Sequence, residues 1–169
     1  PNGSLINDQG DKSIGDNNGF FLRRARFIVS GQPHDRVFIY LQPDFASTVS
    51  GTGHVAQLRD WYADLFLTEN KEWRIRAGQS KVPYGFENLQ SSQNRLGLDR
   101  NDALNSAVSN ERDLGVFFYW APKAIREQFS KLVSEGDKGS GDYGVFGIGA
   151  YNGQTANKPE LNNRPHVVA

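Results

Sequence analysis

Apolar and polar side chains alternate along most of this chain. The clearest stretch is residues 72–80, in which Trp73, Ile75 and Ala77 alternate with Arg74 and Arg76. A period of two predicts a β-strand with one apolar and one polar face. The same pattern predicts further strands over residues 19–30, 36–45, 54–67, 112–120 and 143–152, with another beginning at residues 164–169.

One of these stretches allows two interpretations. As a helix, residues 55–67 would place Asp60 and Asp64 on one face and apolar side chains on another. As a strand, the same residues would place Trp61 and Leu65 opposite the two aspartates. We prefer the strand, because the neighbouring segments alternate and the links between them are short.

The links between the predicted strands are alternately short and long. Residues 31–35 and 68–71 predict short turns, whereas residues 46–53 and 81–111 predict longer polar loops. Short turns at one end and long loops at the other are typical of bacterial outer-membrane barrels. The predicted organisation is a loop over 1–18, strands over 19–80, a long loop over 81–111, and strands and loops over 112–169, with a short helix over 122–133.

This organisation predicts an all-β fold, specifically an antiparallel up-and-down transmembrane β-barrel. The apolar face of each strand would contact lipid, and the polar face would line a water-filled lumen. Four arginines, Arg24, Arg26, Arg74 and Arg76, lie within strands, and a water-filled lumen would keep them hydrated. A soluble β-sandwich is the alternative, since solvent at its outer face would accommodate the same arginines.

Composition argues against several other classes of protein. The 169 residues include 19 basic and 19 acidic side chains, so bulk charge indicates no nucleic-acid partner. The chain has no Cys, and its three His lack the spacing of a zinc site, so we predict no metal and no cofactor. Asp60 and Asp64 could imitate a glycosidase pair, but no sugar subsite is evident nearby, and no enzyme is predicted.

A set of short motifs, in order along the chain, resembles the phosphate-selective porin O/P family. Residues 22–26, leading to Gly31, resemble its "RRAR…G" strand, and residues 78–87 resemble the strand that enters its inward-folded loop. Residues 111–116 resemble the "RDxGV" strand after that loop. Residues 151–153, with the sequence Tyr-Asn-Gly, resemble the end of a later strand, so that the resemblance covers residues 19–153.

The resemblance implies a passive diffusion channel for small hydrophilic solutes, with a slight preference for anions such as phosphate. It also implies a homotrimer in the bacterial outer membrane and a barrel of about sixteen strands, so this chain would be part of a longer protein. Within the loop 81–111, the constriction candidate, the resemblance assigns Ser91, Ser92 and Arg100 to the narrow zone.

The four strand arginines would add a basic track along the wall of such a pore. However, Asp60, Asp64 and Asp113 are predicted on the same face, so the arginines could instead be paired with carboxylates. Phosphate-specific relatives carry a Lys directly after the Glu that is Glu87 here, whereas this chain has Asn88. That difference argues against strict phosphate selectivity.

Two hypotheses from other classes complete the predictions. The first is a small non-channel outer-membrane barrel of about eight strands, acting as an anchor or adhesion protein. The second is a soluble sugar-binding β domain, in which the apolar strand faces would be buried against each other.

Overall fold

A single antiparallel sheet forms the framework of the molecule. The computed structural model describes residues 22, 24–49, 52–90, 111–137 and 145–169. Seven strands lie side by side in chain order, and each pairs antiparallel with the next. They are β1 (Val29–His34), β2 (Val37–Val49), β3 (Thr52–Phe66), β4 (Trp73–Lys81), β5 (Arg112–Trp120), β6 (Phe146–Tyr151) and β7 (His166–Val168). The predicted all-β, up-and-down organisation is confirmed.

Among the residues described, two helices lie in the connections between strands. The short α1 (Phe86–Leu89) comes after β4, and α2 (Lys123–Ser134) comes after β5, close to the helix predicted over residues 122–133. Arg126 of α2 donates hydrogen bonds to the carbonyls of Asn70 and Lys71, which fixes the helix beside the β3–β4 turn. Within the described part of the chain, neither helix is long and apolar enough to cross a membrane.

The structure decides between the two interpretations of one segment and shifts two of the predicted strand boundaries. Residues 55–66 lie in β3 and not in a helix, as the preferred interpretation predicted. The predicted loop 46–53 is wrong: β2 continues to Val49 and β3 begins at Thr52, because Ser47 pairs with Val55 and Thr48 with His54. The predicted turn 31–35 is also displaced, since β1 runs to His34 and the chain turns at residues 35–36.

The sheet has one apolar face that remains exposed. Trp61 is 61% exposed although it lies in the middle of the sheet. At the end of the sheet near the β3–β4 turn, Trp73 pairs with Trp120 and Trp120 with Phe146, which makes an aromatic row across three strands. Other exposed side chains of this apolar face are Ile39, Phe45, Leu65, Leu114, Val116, Ile148 and Val167. Apolar bands bordered by aromatic rows are typical of membrane barrels.

The opposite face, called the polar face below, is largely buried. Phe117 and Tyr119 of β5 are completely covered, and they pack with Val82 at the end of β4 and Val168 of β7. The glycines of β6 make room for these rings. A Cβ added at Gly149 would lie 2.5 Å from Phe117 Cδ1, so only glycine fits beneath that ring.

Candidate pore-lining face

A buried carboxylate at the centre of the polar face holds two arginines. Asp64 of β3 is directly opposite Arg76 of β4. The Nε and Nη2 atoms of Arg76 donate to the two oxygens of Asp64 at 2.7 and 2.8 Å, a bidentate geometry. Arg74 Nε lies 3.7 Å from the same carboxylate. Cross-strand pairing thus brings both predicted arginines together around one aspartate.

Tyrosine rings cover the guanidinium groups of this cluster. Arg76 Cζ lies 3.7 Å from the centre of the Tyr62 ring, and Arg74 Cζ lies 4.9 Å from that of Tyr119. Tyr62 stacks in turn on Tyr40 of β2, with ring centres 5.2 Å apart. Cation–π contacts of this kind hold a guanidinium in place and reduce its hydration.

The ladder between β3 and β4 ends in the middle of the sheet. The two strands pair from Phe66–Arg74 to Trp61–Gln79. Beyond Trp61 and Gln79, β3 remains paired with β2, and β4 remains paired with β5. The Gln79 amide occupies the point of separation and donates to the carbonyls of Leu58 and Arg59 at 2.6 and 3.1 Å. A side chain therefore satisfies backbone acceptors that no longer face a paired strand.

A distant loop also reaches this point of separation. Asn157 Nδ2 donates to the Leu58 carbonyl at 2.9 Å, and the Asn157 backbone N–H donates to Gln79 Oε1 at 3.2 Å. The preceding residues are held by Asp113, whose Oδ2 accepts hydrogen bonds from the N–H groups of Gly153 and Thr155. The loop after β6 is thereby tied to β3, β4 and β5 together.

These contacts give a physical account of two of the sequence motifs. In the "RDLGV" segment, Arg112 Nε donates to Asp60 Oδ1 of β3 at 2.9 Å, and both side chains are buried. Asp113 binds Gly153 of the "YNG" segment. Because Arg112 reaches from β5 to Asp60 of β3, it anchors the end of the β4–β5 ladder against β3.

A second group of charges lies near the start of the sheet. Arg26 Nε donates to Asp44 Oδ2 at 2.8 Å, where an isolated bridge joins residues 26 and 44. Arg59 lies within electrostatic range of Asp44, Glu111, Arg26 and Arg112. Within the residues that the structure describes, the buried Nε of Arg59 has no hydrogen-bond partner.

The structure places only some of the predicted site residues. Arg26, Arg74 and Arg76 lie on the polar face beside aspartates, as in the paired alternative, and Arg24 is exposed ahead of β1. Ser91, Ser92 and Arg100 lie outside the described residues. The site residues as a set therefore stay a prediction.

Arg59 was missed because simple alternation gives it the parity of Trp61, on the apolar face. The register between β2 and β3 shifts between Gln42–Asp60 and Pro43–Leu58, which leaves Arg59 as an extra residue in β3. The signal was Pro43, because proline within a strand often marks a bulge.

Comparison with known proteins gives one match. A family model described as phosphate-selective porin O and P matches residues 6–164, which is most of the chain. No curated protein and no solved structure matches the chain.

Proposed function

Because the chain belongs to the phosphate-selective porin O and P family, whose members are outer-membrane channels and not enzymes, we propose that it forms a passive diffusion pore for small hydrophilic solutes. The observation that carries this proposal is the opposite chemistry of the two faces of one sheet. The ion pairs of Asp64 with Arg76 and of Asp60 with Arg112 lie on the polar face, while Trp61 and the aromatic row are exposed on the other.

The two faces suit different surroundings. Hydrocarbon can cover an exposed apolar face without loss, whereas in a soluble protein such a face would need a protein cover. On the other face Asp60, Asp64, Arg76 and Arg112 form buried ion pairs, which we propose belong to the inner side of the barrel. This arrangement favours a channel over the soluble sugar-binding domain.

We attribute a slight anion preference, such as for phosphate, chiefly to Arg59. Arg26 and Arg76 each have a carboxylate within 2.8 Å, which cancels much of their field. The Nε of Arg59 has no hydrogen-bond partner among the described residues, and Asp44 and Glu111 act on this guanidinium only through electrostatic interaction. A guanidinium offers several donors in a planar fork, which suits an oxyanion. The predicted contacts of Ser91, Ser92 and Arg100 would act in the same direction from the loop 81–111.

A reversal potential measured under a tenfold salt gradient tests this proposal. The intact porin in a planar bilayer should give step-like conductance and an anion-signed potential. Arg59→Gln should move that potential toward zero, because it removes the cation with no paired carboxylate. Arg36→Gln is the matched control, since Arg36 is an exposed residue in the β1–β2 turn.

Each outcome of this measurement decides a different part of the proposal. A cation-signed potential would keep the channel and reject the anion preference. No conductance from well-folded protein would reject the channel and favour the non-channel outer-membrane anchor.

A homotrimer in the bacterial outer membrane is also proposed. Unheated samples should then migrate on gels as a trimer that dissociates on heating.

A further inference from the structure

Helix α2 begins at the rim of the sheet, where β3, β4 and β5 end or start. The Lys123 N–H donates to the Glu72 carboxylate at 2.9 Å, just before β4 begins. One turn further along the helix, Arg126 donates to the carbonyls of Asn70 and Lys71. The helix therefore passes from the end of β5 across the start of β4 toward the β3–β4 turn, and its first turn is fixed to that rim.

The aromatic row of the apolar face lies at the same rim. Trp73 and Trp120, which pair with each other, are 37% and 38% exposed, and Phe146 beside them is 53% exposed. Helix α2 begins three residues after Trp120. In a membrane barrel, rows of this kind lie where the hydrocarbon meets the lipid headgroups. In such a barrel α2 would begin at the depth of that interface.

Helix α2 has an apolar side that the rest of the chain covers only in part. Ile125, Phe129 and Leu132 are spaced four and three residues apart, which places them on one side of a helix. All three are half-buried, and the neighbouring Val133 is 45% exposed. None of the twelve residues of the helix is buried. This apolar side is therefore not part of a packed protein core.

The opposite side of α2 is polar, hydrated and electrically neutral. Lys123 Nζ lies 3.6 Å from Glu127 Oε1, and Lys131 Nζ lies 3.7 Å from Glu135 Oε1, so each lysine has a carboxylate four residues further on. All four side chains are more than half exposed. Because each exposed lysine is balanced by a glutamate, this side offers no net charge to an anionic partner. The apolar side is what selects the surroundings of the helix.

We propose that α2 is an interfacial helix whose apolar side, with Ile125, Phe129 and Leu132, is covered by phospholipid at the membrane surface. This inference rests on the proposed membrane location of the sheet, whose exposed apolar face reaches the same rim. Interfacial helices lie in the plane of the membrane, with their apolar side about 5–10 Å deep at the boundary of headgroups and acyl chains. The lipid that covers the aromatic row thus continues over the helix. Since the polar side is neutral, this attachment needs no anionic lipid.

Spin-label accessibility in the intact porin tests the inference, with vesicles of zwitterionic phosphatidylcholine and phosphatidylethanolamine. The 169 residues contain no Cys, so one introduced cysteine marks one site in this part of the protein. A nitroxide at Ile125→Cys should collide more often with O₂, which concentrates in lipid, than with a water-soluble nickel complex. Glu127→Cys is the matched control two residues further on, on the polar side, and there the order should be reversed.

The two accessibilities at Ile125→Cys distinguish the alternatives. Frequent collision with the nickel complex would place the apolar side in water, and low accessibility to both reagents would place it against protein. Either result would overturn the inference. If Ile125→Cys does not fold, Val133→Cys replaces it and is read in the same way, because the Val133 side chain is already 45% exposed.

A label on the sheet separates a failure of this inference from a failure of the membrane location. Val116 of β5 is 55% exposed on the apolar face, four residues before Trp120. Val116→Cys should therefore show the O₂ preference of a lipid contact whatever surrounds α2. Water-like accessibility at Val116→Cys would reject the membrane location and the inference with it. A lipid-like Val116→Cys together with a water-like Ile125→Cys would reject only the interfacial helix.

Discussion

The lower and upper parts of the β3–β4–β5 wall are built in different ways. Near the β3–β4 turn, an unbroken backbone ladder joins the strands from Phe66–Arg74 to Trp61–Gln79, and side chains add charge pairs to it. Above Gln79, the β3–β4 ladder is absent, and side chains of Gln79, Asn157 and Arg112 make the connections.

The comparison shows two ways in which neighbouring strands of one sheet are held together. In the lower wall an unbroken backbone ladder joins the strands, and the buried ion pairs add to its stability. In the upper wall β4 is no longer paired with β3, although it stays paired with β5 as far as Lys81 and Arg112. Specific side chains then replace the missing hydrogen bonds, so the upper wall should respond locally to substitution and the lower wall cooperatively.

Removing the buried carboxylate from the lower wall should have the largest effect. Asp64→Asn keeps the shape of the side chain but leaves Arg74 and Arg76 without this negative partner. Removal of one member of a buried ion pair costs about 3–5 kcal/mol. The free energy of unfolding in detergent, measured by tryptophan fluorescence in urea, reports the loss.

Asp35→Asn in the exposed β1–β2 turn is the control, and its unfolding free energy should match that of the parent. If Asp64→Asn were as stable as this control, the ion-pair cluster would not contribute to the lower wall.

The sequence predicted most of the structure of the lower wall and little of that of the upper wall. Alternation is a local property, so it predicted the two faces of residues 72–80 and 112–120 correctly. It failed where pairing is decided by partners far away: Asn157 and Leu58 are 99 positions apart, and Arg112 and Asp60 are 52 apart. The motifs marked Asp113 and Gly153 but could not show that the two residues touch.

Arg59 was missed for the same reason, because its position is decided by the pairing of two strands and not by the local pattern. A strand periodicity holds only while the register is unbroken, and one extra residue reverses the face of every later residue in the strand. The shift beside Pro43 depends on how β2 and β3 pair, which no local window contains. The sequence therefore predicted Arg24, Arg26, Arg74 and Arg76 as site residues and gave no prediction for Arg59.

Substitution of Gly149, which lies beneath the Phe117 ring, should lower the free energy of unfolding less than substitution of Asp64 does. In Gly149→Ala, the new Cβ would lie 2.5 Å from both Phe117 Cδ1 and the Val116 carbonyl oxygen, and the backbone atom cannot rotate away. Overpacking of this kind costs about 1–3 kcal/mol, measurable by the same urea unfolding. Gly31→Ala is a matched control because nothing lies within 4 Å of its added Cβ. Equal stability of the two variants would contradict the packing of β6 against β5.

The smallest expected effect tests the side-chain connections of the upper wall. Gln79→Leu and Asn157→Ala each remove a donor to the Leu58 carbonyl, and each also breaks the contact between the two residues. Because they share this acceptor, the double variant should lose less than the sum of the single losses, by about 0.5–1 kcal/mol. Hydrogen exchange of the amides in β3 and β4 should show faster opening beside residues 58–61 and unchanged protection beside residues 74–78. Strictly additive losses, or faster exchange along the whole ladder, would mean that the upper wall is not a separate, side-chain-held unit.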